Sequence, residues 1–196
     1  RRAVLALNPD LAAIRSSLLM CMHYTPDATR DELFTEHKIF GEMHGSAPAP
    51  AFRPDHDFSA KRKIRVGVVS GDYRFHAMLF FVLPVLEARD KASWEVFCYS
   101  TTAKPDGHTK IFRAAADRWR DVRSLAAKDL AQLIAGDGID VLIDLSGHAP
   151  NNRLLAFTAK AAPLQVAWGD YVDTRGLEAI DIFLGDSTHS PPEDDQ

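Results

Sequence analysis

Asp72 and His76 stand four residues apart in the run Ser70-Gly71-Asp72-Tyr73-Arg74-Phe75-His76. A carboxylate and an imidazole at that spacing can pass a proton to and from a hydroxyl, or orient a sugar or a phosphate between them. Both fall where a strand gives way to a helix, beside main-chain N–H groups that favour an anionic ligand. The plainer alternative is that Asp72 only caps a helix beginning near Tyr73, with His76 a polar residue of its first turn. Two more histidines sit in suggestive places. His37 lies on the apolar face of a helix, where a lone imidazole is more often a packed core residue, although it could also reach a cleft rim. His148, in Ser146-Gly147-His148-Ala149-Pro150-Asn151-Asn152-Arg153, marks another strand end. Arg153 behind it could meet a phosphate or a carboxylate, or the loop could be solvated, with an Asn capping a short helix.

The motifs that are missing narrow the chemistry. None of the eight histidines forms HExxH, and His37 and His44 are not in ligand register, so no metal is expected. The turn Gly71-Asp72-Tyr73-Arg74 lacks the further glycines of a dinucleotide fingerprint, which discounts NAD and FAD. No G-x-S-x-G elbow or P-loop occurs, so hydrolase-triad and P-loop readings have no support.

The elements that must position these residues follow from periodicity. In residues 1–45, Leu11, Ile14, Leu18, Leu19 and Met22 recur at helical spacing after a turn and cap at Asn8-Pro9-Asp10. Thr29-Arg30-Asp31-Glu32 has capping-box spacing for a second helix, with Leu33, Phe34, His37 and Phe40 or Gly41 on one face. Residues 46–60, with Pro48, Pro50 and Pro54, read as a linker and place the domain boundary there. In residues 61–196, short apolar runs alternate with helix-like segments such as Asp129 to Ala135 and the long apolar stretch Ala77 to Leu86. The strand-like runs are Ile64 to Val69, Trp94 to Tyr99, Trp119 to Val122, Ile139 to Asp144, Leu164 to Trp168 and Ile182 to Leu184. This alternation predicts an α/β fold, a Rossmann-like and mostly parallel sheet preceded by a small α-helical segment. Its carboxyl edge would carry Ser70-Gly71-Asp72, Ser100-Thr101-Thr102, Ser146-Gly147-His148, Gly169-Asp170-Tyr171 and Gly185-Asp186-Ser187, small and polar groups suited to a ligand cleft. Taken singly, such residues also end strands anywhere.

A net charge of −4 with scattered basic residues argues against nucleic acid as a partner. Cys21 and Cys98 form no CxxC, which fits a reducing, cytoplasmic location. Ala77 to Leu86 is interrupted by Pro84 and is far shorter than the roughly 20 residues of a membrane span. The opening Arg1-Arg2 leads too soon into Asn8-Pro9-Asp10 to be a signal peptide, and the polar run Pro191 to Gln196 suggests a piece of something longer.

Several segments, in order, resemble the catalytic region of protein O-GlcNAc transferases, the family that also holds the SPINDLY-type O-fucosyltransferases. They are Leu7-Asn8-Pro9-Asp10 with its helix, Glu32-Leu33-Phe34-Thr35-Glu36-His37, Ile64 to Asp72, Asp137 to His148, and Ala162-Pro163-Leu164-Gln165-Val166-Ala167-Trp168. The resemblance implies one lobe of a GT-B fold, preceded by the end of a tetratricopeptide array. It implies transfer of GlcNAc from UDP-GlcNAc to Ser or Thr of acceptor proteins, without metal or cofactor. A carboxyl-terminal lobe would be needed for activity. On the same resemblance Asp72, His76 and His37 are the catalytic candidates, with Asp72 a base or proton relay, while Met78, Gly169 and Asp170 fall on the donor-sugar side. Ala77-Met78 stands where the family has Pro-Thr or Pro-Val, and Trp168-Gly169-Asp170-Tyr171-Val172-Asp173-Thr174 where it has Trp-Leu-Gly-Tyr-Pro-Gly-Thr. Asp170 and Asp173 would repel a diphosphate unless bridged or turned away. Two alternatives stay open, an O-fucosyltransferase using GDP-fucose and a non-catalytic tetratricopeptide scaffold with a degenerate transferase lobe.

Overall fold

Strands β1 (Ile64–Ser70), β2 (Trp94–Ser100), β3 (Arg118–Asp121), β4 (Val141–Asp144), β5 (Leu164–Trp168) and β6 (Ile182–Leu184) pair in parallel, in the order β3-β2-β1-β4-β5-β6. The computed structural model describes residues 1–45, 55–59 and 61–186, so most of the expected linker and the carboxyl-terminal run lie outside the described residues. Consecutive strands run outward from β1 to β3, and the chain then crosses back to place β4 on the other side of β1. That reversal is the topological switch point of a doubly wound Rossmann-like sheet, and it opens a crevice at the carboxyl ends of β1 and β4.

Alternating side chains divide the core into two layers. Val66, Val68, Val96 and Cys98 face helix α4 (Leu79–Ala88) and helix α5 (Gly107–Ala115), with Leu79, Val82, Leu86 and Phe112 buried against them. Val69, Phe97, Tyr99 and Leu142 face the opposite layer, with Leu130 and Ile134 of α6 (Ala127–Asp137) and Leu154 and Phe157 of α7 (Leu154–Phe157). Leu19 and Phe40 belong to this second cluster although they come from α2 (Ala12–Met22) and α3 (Arg30–His44). Each fully buried side chain of this size contributes about 1.5–3 kcal/mol. The amino-terminal helices therefore share a core with the sheet. Only α1 (Arg2–Leu7) stands apart, in a small satellite cluster of Leu5, Leu18 and Met22.

The capping box at Thr29 and Glu32 is present in full. Other local expectations are corrected. Phe34 is 64% exposed, so the buried face of α3 is His37 and Phe40. Leu11, not Asn8 or Asp10, is the α2 N-cap, and no side chain caps it. The helix after β1 begins at Leu79 rather than near Tyr73. Tyr73 explains the delay, because its ring is buried, its hydroxyl donates to Val68 O (2.9 Å) and its N–H donates to Thr102 Oγ1 (3.1 Å). Those bonds draw the chain down against the sheet over the very residues that would have started a helix. Asp72 accordingly caps nothing.

Candidate active site

The polar residues at the carboxyl edge sort into those spent on holding loops and those left facing space. Ser70, Ser100, Thr101, Thr102, Ser146 and His148 are buried. Gly71 N–H donates to Ser146 Oγ (3.2 Å), and Thr101 Oγ1 donates to Asn151 O (2.8 Å). A cavity of about 510 Å³ remains above them, lined by Asp72, Arg74, His76, Lys104, Asp106 and Asp170, with Met20 and Tyr24 of the helical segment on its rim. A larger cavity, about 650 Å³, lies between α2 and residues 149–155. Ser16 there is bound to His148, and Arg153 Nη2 donates to the main-chain oxygens of Val122 and Arg123, while Arg153 Nε is buried without a hydrogen-bond partner among the described residues. The smaller cavity is the one that gathers several ionisable groups, Asp72, Arg74, His76, Lys104, Asp106 and Asp170.

Within it, Asp72, His76 and Asp170 each place one atom within 4.8 Å of the other two. Asp72 is not free, because Arg74 grips its Oδ1 through Nη2 (2.7 Å) and Nε (3.0 Å). Asp170 follows β5 and its N–H donates to Leu145 O (3.2 Å), which fixes the turn while the side chain reaches the cavity. Burial raises the Asp170 pKa above the ordinary carboxylate value. The charge of Asp72 adds to that rise, and His76, Arg175 and Arg74 oppose it. Asp173 is turned away, its Oδ1 accepting the Thr174 N–H (2.7 Å) and its Oδ2 3.8 Å from His23 Nε2.

Met78 and Gly169 meet each other but line a separate cavity of about 350 Å³ with Phe81, Trp168 and Phe183. A Cβ at Gly169 would fall 2.4 Å from Met78 Cε, and its φ of +87° suits glycine. His37 does not line the Asp72 cavity. Its ring is fully buried and Nδ1 lies 2.7 Å from Leu33 O. A carbonyl only accepts, so Nδ1 carries the proton and Nε2 accepts from the Tyr171 hydroxyl at 2.7 Å. Burial lowers the pKa of this imidazole, with the Leu33 carbonyl and Asp173 opposing. His23 Nε2 is 3.0 Å from the same hydroxyl, whose oxygen is left to accept from it. His37 thus touches the neighbour of Asp170 rather than the cavity.

Residues invisible in the sequence pattern hold this arrangement. Asp144 and Arg175 are both fully buried and paired at 2.9 Å. Arg175 also donates to Trp168 O, Tyr171 O and Asp173 O, while Asp144 accepts the N–H groups of Ser146 and Gly147. One ion pair therefore fastens the loops after β4 and after β5 on either side of the crevice. Removing one partner from such a pair costs roughly 3–5 kcal/mol because the other charge is stranded. Asp144 was legible only as the end of an apolar run, and nothing local links it to Arg175 or Tyr171.

The profile of glycosyl transferase family 41 matches residues 43–196. The chain belongs to that family. This family 41 chain is 30% identical over 192 residues to a probable UDP-N-acetylglucosamine–peptide N-acetylglucosaminyltransferase SPINDLY of Solanum lycopersicum, covering 96% of this chain and 21% of the relative. It is 29% identical over 134 residues to a UDP-N-acetylglucosamine–peptide N-acetylglucosaminyltransferase of Caenorhabditis elegans, covering 66% of this chain and 12% of that one. A solved structure of a mutant Thermobaculum terrenum O-GlcNAc transferase superposes with a TM-score of 0.88 at 37% identity, covering 97% of this chain and 37% of that chain. The family 41 chain thus spans about a fifth of the length of the SPINDLY relative. Among the described residues, no helix is long and apolar enough to cross a membrane.

Proposed function

We propose that this chain is the amino-terminal catalytic lobe, with the last helices of a tetratricopeptide array, of a cytoplasmic protein O-GlcNAc transferase. The enzyme joins GlcNAc from UDP-GlcNAc to Ser or Thr hydroxyls of acceptor proteins. The observation that carries the reading is the convergence of Asp72, His76 and Asp170 at the switch point of a family 41 lobe. A sugar seated there lies against an imidazole and two carboxylates, which can accept hydrogen bonds from its hydroxyls and handle the proton of the acceptor. His37 positions the loop after β5 through Tyr171. The reading calls for no metal or cofactor, and the leaving diphosphate is stabilised mainly by a second, carboxyl-terminal lobe.

Calorimetric titration of UDP-GlcNAc and of GDP-fucose into the natural full-length polypeptide, with this 196-residue segment as control, tests it. Binding of UDP-GlcNAc by the full protein and not by the segment is expected. Binding of GDP-fucose alone would move the donor to fucose, and silence from both donors with folded protein would replace the enzyme by a scaffold. His76→Ala in the full protein is expected to lower transfer without loss of fold, and unchanged turnover would remove the role given to His76.

A further inference from the structure

We propose that Asp170, and not Asp72, takes the proton of the acceptor hydroxyl during sugar transfer. The inference rests on the transferase reading and assigns the general base within it. Three atoms no more than 4.8 Å apart leave a point within about 2.8 Å of each, the length of an O–H···O hydrogen bond. A single oxygen placed there touches Asp72, His76 and Asp170 at once. The two carboxylates at that point are not equivalent. Asp72 is bound through two nitrogens of Arg74, which occupy Oδ1. Asp170 receives no hydrogen bond on its carboxylate among the described residues, and it is half-buried in the cavity wall.

The charged groups around Asp170 come from three loops. Asp72, Arg74 and His76 follow β1, Lys104 and Asp106 follow β2, and Arg175 lies on its own loop after β5. Burial, helped by the charge of Asp72, raises the Asp170 pKa above the ordinary carboxylate value, the direction a proton acceptor needs. Arg74 holds Asp72 in place beside it, so the pair divides into an anchor and a base.

The step balances without a co-reactant. The acceptor oxygen forms its bond to the anomeric carbon as the bond from that carbon to the diphosphate oxygen breaks. The bonding electrons leave with the nucleoside diphosphate. The hydroxyl proton passes to Asp170, which returns it to solvent after the products depart.

The test compares Asp170→Asn with wild type in the natural full-length polypeptide, using a serine peptide that the wild type glycosylates and the same peptide with cysteine at the acceptor position. A thiol with pKa near 8.5 ionises unaided at pH 9, so it needs no base from the protein. The expected result is a loss of roughly 10²-fold or more in kcat on the serine peptide, with UDP-GlcNAc affinity by calorimetry within a few-fold of wild type. On the cysteine peptide at pH 9 most activity is retained. Equal losses on both peptides, or kcat on serine within a few-fold of wild type, overturn the assignment to Asp170. A wild-type protein that neither binds nor transfers a nucleotide sugar overturns the transferase reading, and this assignment falls with it.

Discussion

His148 holds its protons in a fixed order because one ring nitrogen faces a carbonyl and the other a hydroxyl. Nε2 lies 3.2 Å from Arg175 O and must donate, so Nδ1 accepts from Ser16 Oγ at 2.9 Å. The ring is neutral, its pKa driven down to about 3 by burial and by the neighbouring imidazole of His37. In the unfolded chain the same group titrates near 6.5. Between those values the unfolded chain binds one more proton than the folded one, so acid destabilises the fold by up to about 1.4 kcal/mol per pH unit for this residue. His37, also depressed, acts in the same direction. Urea unfolding followed from pH 6.5 to 5 should lose stability steadily, and His148→Asn should flatten the slope by close to one proton. Equal slopes in the two proteins would mean the native ring is already charged. At this scale the sequence was legible for Asp72, His76 and Asp170, whose types and strand-end positions announced polar chemistry. It was not legible for Tyr171, His23 or Arg175, because the first two depend on contacts across 134 or more residues and Arg175 on main-chain oxygens.

The elements themselves were readable wherever period and turn residues agreed. Leu164 to Trp168 and Ile182 to Leu184 match the strands residue for residue, and the other four shift by one or two positions at their ends. The segment after β1 misled because an Asp at a strand end reads as a helix cap, whereas burial of Tyr73 outweighs that local preference. Docking of α3 depends on a feature no single helix discloses. A Cβ on Gly41 would stand 1.8 Å from Gly176 O, so α3 approaches the loop after β5 main chain to main chain. Gly136, on an exposed side of α6, has nothing within 4 Å of its own missing Cβ. The same substitution should therefore act with opposite signs. Gly136→Ala is expected to stabilise by about 0.5–1 kcal/mol, and Gly41→Ala to destabilise by about 1–3 kcal/mol. Thermal melts of the two variants check this, and a stabilising Gly41→Ala would show that α3 does not seat as described.

For the molecule as a whole, periodicity pointed to the doubly wound sheet and composition to an ordinary globular protein, but the break at the prolines suggested two bodies. Leu19 and Phe40 in the sheet's cluster, Ser16 on His148 and His37 on Tyr171 join the two segments across that break. Deleting residues 1–45 should remove Leu19 and Phe40 from the core and leave the buried His148 and Tyr171 without their partners. The shortened chain is expected to bind a hydrophobic dye and lose its cooperative melt, while a sharp transition at the original temperature would establish an autonomous lobe.

The shared core also bears on ancestry. If lineages exchanged amino-terminal helices by recombination, a junction at the proline-rich stretch would sever inherited partners, leaving Tyr171 facing a stranger's helix. What must be inherited together reaches back to α2, whose Leu19 lies in the core of the sheet and whose Ser16 holds His148.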